Sequence, residues 1–208
     1  MLKNLILFFS ISLFSLQISA QDSENGNLLH DYNDVMWCGI DFSKSKMIGS
    51  EGFTNAYNVV DRFFGSWNNL ILQESDKYNI VEFYEKKTRL IDLTVVKQRN
   101  EAVDPNKLVI DKTTIDPLTE TDIQEVVDGY EEIEPGEGLG LLYIVEYFNK
   151  LENRALIHVV FFDTRSLEIL WTEKYRTKPG GFGLRNYWAR SILDTMEESG
   201  KDFTKSKK

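Results

Sequence analysis

The sequence predicts a single mixed α/β domain of the α+β type, a mostly antiparallel sheet of about five strands with two main helices packed on it. Three observations carry that expectation. The chain has 208 residues, 42% hydrophobic and 12% aromatic, which is material for one packed core. In its second half, three apolar runs (Leu139 to Phe148, Leu156 to Phe162 and Leu167 to Tyr175) are separated only by short polar links, and links that short join antiparallel neighbours. Two amphipathic stripes, one before this meander and one after it, have the period of helices that lie on a sheet.

Taken in order, residues 1–20 carry Lys3 in a short basic head, an apolar and serine-rich stretch from Leu5 to Leu16, and Ala20 before Gln21. This is the pattern of an export signal cleaved after Ala20, so the mature protein is expected in the periplasm or secreted. The apolar stretch is shorter than the roughly 20 residues that span a bilayer, and no later segment approaches that length, so no transmembrane segment is expected after signal removal. Residues 21–33 read as a flexible leader, 34–199 as the domain, and 200–208, which include KDFTKSKK, as a basic flexible tail.

Within the domain, DVMWCGIDF is apolar on both sides and reads as a central strand. Phe53, Tyr57, Val60, Phe64, Trp67 and Ile71 then alternate in steps of four and three, one stripe of a helix over 54–72 with Thr54 as its cap. Gly65 interrupts this helix and weakens it, a sign of a close neighbour. LIDLTVV, Leu90 to Val96, has the β-branched enrichment of a second strand. Thr121 and Gln124 form a capping-box pattern ahead of Ile123, Val126, Val127 and Tyr130, a short surface helix. The meander follows. The last helix, 184–198, sets Leu184, Trp188, Ile192 and Met196 on a stripe that covers the sheet.

Composition excludes several chemistries. Lys and Arg number 24 against 33 Asp and Glu, a net charge of -9, so nucleic acid is not an expected partner. Cys38 is the only cysteine, so no intrachain disulfide forms, and it reads as a small buried hydrophobe. His30 and His158 are the only histidines, which leaves little room for Cys/His or Ser/His/Asp catalysis and none for a multi-histidine metal centre. Nine carboxylates lie between Asp116 and Glu137 without a Lys or Arg. The cluster Glu131, Glu132, Glu134 and Glu137 lacks the spacing of a calcium loop and reads as a solvated acidic turn. Neither a metal nor a cofactor is expected.

The remaining candidates are few. Glu146 and His158 are the polar members of two adjacent strands, and a link centred near Glu152 sets them approximately opposite each other, as a satisfied polar contact or an acid/base pair. Asp41 and Asp163 each follow an apolar strand. Asp163 opens DTRSLE, where its side chain suits a hairpin turn, and Asp41 suits a similar cap. A hydrolase working with carboxylates alone would draw on Asp41, Glu146 and Asp163. The stretch TKPGGFGLRN offers Lys178, Gly180, Gly181, Gly183 and Arg185 as a small-anion site at a helix start. Asn186 stands where a dinucleotide fingerprint needs its last glycine, and no parallel strand is expected after the last helix, so a strand-to-helix turn is the primary reading.

The segments GIDFSKSKMIG, DKYNI, DPNKLVI and, most specifically, GGFGLRNYWARSI resemble an uncharacterised family of small exported proteins from Bacteroidota. That resemblance implies an exported location and a shared fold, with no catalytic residues to carry over. The hairpin FFDTRSLEILWTEKY is similar to one in envelope proteins with a fold like the N-terminal domain of TolB, although Ser166 and Leu167 replace the Thr and Gly usual there. Together these imply a noncatalytic envelope protein that binds another protein or a surface component through exposed aromatics and sheet edges.

Overall fold

The strand DVMWCGID, β1 (Asp34–Asp41), is buried on both faces after its first residue, as its unbroken apolar character requires. A computed structural model of the chain describes residues 29–112, 115–131, 133 and 138–207. The expected signal, most of the leader, and Glu132, Glu134 and Glu137 lie outside these residues. β1 pairs in parallel with β3 (Thr88–Ile91) on one side and with the first part of β5 (Leu139–Asn149) on the other. The chain then turns at Phe42, where the N–H of Ser45 donates to the Phe42 carbonyl, and resumes as β2 (Lys46–Ile48) along the second part of β5. β4 (Val109–Ile110) pairs in parallel with β2. Beyond β5, β6 (Arg154–Asp163) and β7 (Ile169–Thr177) are antiparallel.

The meander is therefore as expected, but a mostly antiparallel sheet of about five strands is not what forms. The sheet has seven strands, and β3, β1, β5, β2 and β4 are all parallel. The cause lies in the connections. β2 continues the direction of β1 after a short turn, and helices separate the other strands up to β5; a strand–helix–strand crossover returns the chain to the end from which it started, so the next strand runs parallel.

Four main helices pack on this sheet, where two were expected. α1 is a continuous run of three segments, Ala56–Asn58, a π-helical Val59–Phe64, and Gly65–Gln73. Its cap is Asn55, which accepts from the N–H of Asn58, and not Thr54. The wider π turn shifts the phase of the helix, so Tyr57 of the predicted stripe faces solvent while Val59 is buried. A short α2 (Ile80–Phe83) follows. LIDLTVV does not form one strand. Asp92 accepts from the N–H of Thr94, a local bond that competes with the sheet ladder, and Thr94 opens α3 (Thr94–Glu101). The β-branched Val95 and Val96 are buried there, so packing overrides strand propensity. After α4 (Pro105–Leu108), α5 (Glu120–Asp128) is capped by Thr119 in a reciprocal box with Asp122, two residues earlier than the Thr121 pattern implied.

α6 (Leu184–Lys205) runs through most of the residues expected as a flexible tail. Gly200 lets it approach α2 closely, since a Cβ there would stand 2.7 Å from the Phe83 carbonyl oxygen, and Phe203 is buried. The end of the leader is also held. Leu29 is buried, and the Lys86 ammonium donates to the carbonyls of Leu29 and Tyr32.

The sheet divides the core. On one face α1, α2 and α6 cover Trp37, Tyr143, Phe148 and Phe161. Phe148 stacks on Trp188 at 4.5 Å and Phe42 on Phe64 at 4.2 Å. On the other face α3 and α5 cover Met36, Cys38, Leu142, Ile144, Val160 and Phe162.

Candidate functional site

Asp41 ends β1 fully buried, with its oxygens committed. Oδ1 accepts from the N–H of Ser43 at 2.7 Å, and Oδ2 accepts from Arg99 Nε at 2.7 Å and the Tyr130 hydroxyl at 2.9 Å. Arg99 also donates to Ser43 Oγ, so α3 and the turn that follows α5 are tied to the close of β1 through one carboxylate. Burial, with the Asp41 charge adding to it, pushes the Tyr130 phenol well above its usual range, which keeps it a donor. Such a carboxylate is a structural anchor.

Glu146 and His158 are brought together. β5 bulges at Glu146, between the pairs Val145 with Ile157 and Tyr147 with Leu156, and the bulge turns the carboxylate onto His158 Nε2 at 2.8 Å. Both side chains are buried. Asp41, Ile144, His158 and Lys174 form one row across four strands, which sets Asp41 and His158 about 10 Å apart at the backbone. Asp163 stands elsewhere. It pairs with Leu139 at the start of β5, on the order of 20 Å from Glu146 along the strand. It accepts from the N–H groups of Arg165 and Ser166 and from the Tyr32 hydroxyl, the turn role expected of it. Burial alone would raise its pKa, but these bonds outweigh it and lower the value.

In the glycine stretch, β7 ends at Thr177 and α6 begins at Leu184. Gly181 (φ 107) and Gly183 (φ 77) have left-handed backbone that only glycine adopts without strain. The N–H of Gly180 donates to the Tyr187 carbonyl and that of Tyr187 to Gly183, so the turn folds back on its own helix. Arg185 is directed to α1: Nε donates to Ser66 Oγ, Nη2 lies 3.8 Å from Glu74, and the Arg185 carbonyl accepts from Trp67 Nε1. Lys178 is exposed, and Phe182 at the tip of the turn is 95% exposed.

Two asparagines, absent from the sequence-based candidates, finish the sheet where β3 stops. Asn68 of α1 accepts from the N–H of Ile40 at 2.7 Å and donates to the Ile40 and Phe64 carbonyls. Asn100 of α3 donates to the same Ile40 carbonyl at 2.9 Å and accepts from the N–H of Phe42 at 2.7 Å. Their carboxamides replace the missing edge strand. A signal for them exists: Asn68 follows Phe64 by four residues and Asn100 follows Val96 by four, which sets a polar side chain on each buried stripe. Beside them, between α1 and α3, lies a cavity of about 320 Å³. A second, of about 490 Å³, lies at the amino end of β1, lined by Tyr32, Asp34, Leu90, Asp163 and Thr164.

Cys38 is buried, its thiol donates to the Met36 carbonyl, and burial pushes its pKa far up. Among the described residues no group of three or more His, Cys, Asp or Glu side chains is placed to hold a metal ion. No helix among them is long and apolar enough to cross a membrane. Compared with known proteins, the chain matches no family model and no curated protein.

Proposed function

We propose that the protein is an exported, noncatalytic binding protein of the cell envelope, and that it engages another protein or a surface component through the end of the molecule that presents Phe182. The observation that carries this reading is the 95% exposure of Phe182 at the tip of a turn whose flanking glycines adopt left-handed backbone. Burying such a side chain in a partner is worth about 1.5–3 kcal/mol, and aromatic anchors of this kind dominate protein interfaces. Leu151, 53% exposed in the turn between β5 and β6, lies at the same end. That turn is held to α6 by the Tyr187 hydroxyl, which donates to Asn153 at 2.6 Å, and by Lys150 Nζ, 3.8 Å from the centre of the Tyr187 ring. The exported location rests on the N-terminal sequence.

The carboxylate-hydrolase alternative finds less support. Asp163 lies at the far end of β5 from Glu146, and Asp41 spends its lone pairs on Ser43, Arg99 and Tyr130. The anion site at Lys178 to Arg185 is weakened in the same way, because Arg185 is turned to Ser66 and Glu74.

A photo-crosslinking amino acid at position 182 tests the proposal in the native envelope. Discrete adducts are expected at 182 and not at exposed Glu173 of β7. Phe182→Ala should keep the melting temperature and lose the partner captured by affinity purification. Equal recovery by Phe182→Ala and the wild type would overturn the assignment of this end.

A further inference from the structure

The cavity between α1 and α3 collects features that the packing of the fold leaves unexplained. Gly65 lies at its mouth with ordinary helical dihedrals (φ -63, ψ -38), so no backbone conformation demands glycine. A Cβ built there would meet no atom within 4 Å, so the close neighbour that a mid-helix glycine suggests is absent as well. Immediately before it, Val59–Phe64 winds as a π-helix, a rare form that recurs at functional sites. The cavity, about 320 Å³ and open to solvent, is of the size that holds a small organic molecule. Its place in the sheet is also that of a ligand site. Asn68 and Asn100 on its floor hold the carboxyl end of β1, and Leu93 on its wall follows the carboxyl end of β3. In parallel α/β sheets, ligands sit outside the carboxyl ends of the strands.

The lining sets the chemistry. Leu93 makes one side apolar, over the buried Phe64 and Val96. The mouth carries Asp61, Lys97 and Glu101, with Lys97 Nζ 4.0 Å from the Glu101 carboxylate, so these three groups sum to one negative charge. We propose that the cavity binds a small amphipathic organic cation, an aromatic or alkyl amine whose apolar body lies against Leu93 while its ammonium stays at the mouth near Asp61 and Glu101. The bare Cα of Gly65 leaves the entrance open. This site is independent of Phe182 and of the reading built on it.

Three probes of the same shape separate charge from shape: phenethylamine, phenethyl alcohol and hydrocinnamate, each titrated into the purified protein and followed by amide chemical shifts. Saturable shifts confined to residues 59–69 and 93–101 are expected with the amine, at least tenfold weaker binding with the alcohol, and none with the carboxylate. Asp61→Asn should weaken the amine about fivefold and leave the alcohol unchanged. Gly65→Leu, whose Cβ meets no atom within 4 Å, sets a branched side chain at the mouth and should abolish binding while the protein stays folded. Three results would each overturn the proposal: no binding of the amine, alcohol or carboxylate binding as tight as the amine, or unchanged amine affinity in Gly65→Leu.

Discussion

The paired asparagines give a prediction that can be worked group by group. Asn68→Ala leaves the buried N–H of Ile40 without its acceptor, and Asn100→Ala does the same to Phe42, but the Ile40 carbonyl keeps one donor in either variant. An orphaned buried group costs about 1–3 kcal/mol. Each asparagine lies in a helix, where alanine returns up to roughly 0.7 kcal/mol, so each single variant should lose about 0.3–2.5 kcal/mol. In the double variant the shared carbonyl is orphaned as well. Its cost should therefore exceed the sum of the singles by about 1 kcal/mol or more, and the helix-propensity gains cancel from this excess because they are additive. Urea unfolding with a constant slope measures all three. A double variant additive within about 0.3 kcal/mol would refute the reasoning, because it would mean that water entering from the adjacent cavity serves the backbone as well as the carboxamides do.

Other perturbations follow from single groups. Gly65→Ala should raise stability by about 0.5–1 kcal/mol, since its Cβ meets open space, and a loss in thermal unfolding would show the position to be obstructed. Burial, with Lys207 adding to it, pushes the Lys86 ammonium down to about 8. Unfolded, it titrates near 10.4, so between about pH 8 and 10 the folded chain holds fewer protons and this group's contribution to stability rises with pH; below pH 8 both states are protonated. The stability of the wild type relative to Lys86→Met should therefore climb over that window, and a flat difference in urea midpoints would contradict the shift. Asp163 has its pKa lowered, so its contribution is present above the unfolded value near 3.9 and fades as pH falls through the folded one. Acid unfolding of Asp163→Asn should show a shallower loss below pH 4. Cys38, buried with its thiol pushed far up, should resist iodoacetamide in the native protein and react after denaturation; rapid native labelling would place it at the surface.

What could be read from the sequence was what is local in it. The meander and the Leu184, Trp188, Ile192 stripe join residues close along the chain, and the Glu146–His158 contact follows from counting back across one short link. Parallel pairing was not legible. Met36 lies opposite Gly140, about a hundred residues away, and a strand apolar on both faces carries no alternation to fix its register. β2 and β4, with three and two residues, are too short to show a period. The Asp41 cluster escaped for the same reason, because Arg99 and Tyr130 are 58 and 89 residues from it and nothing near DFSKS announces them.

The interrupted edge connects these failures to the proposed cavity. β5 runs through eleven residues, while its neighbour breaks into β1 and β2 across the turn that begins at Phe42, opposite the bulge at Glu146. An unbroken neighbour would present an unbroken outer edge, and one continuous edge strand would pair with it. Here β3 stops at Ile91 and β4 starts at Val109, so the carbonyl and N–H groups at Ile40 and Phe42 lack a strand and are met by side chains from helices on opposite faces of the sheet. Carboxamides satisfy hydrogen bonds but do not fill the volume of a strand. The space between α1 and α3 is the remainder, and it is open at the point where α1 has a glycine and a π turn in place of an ordinary helical face.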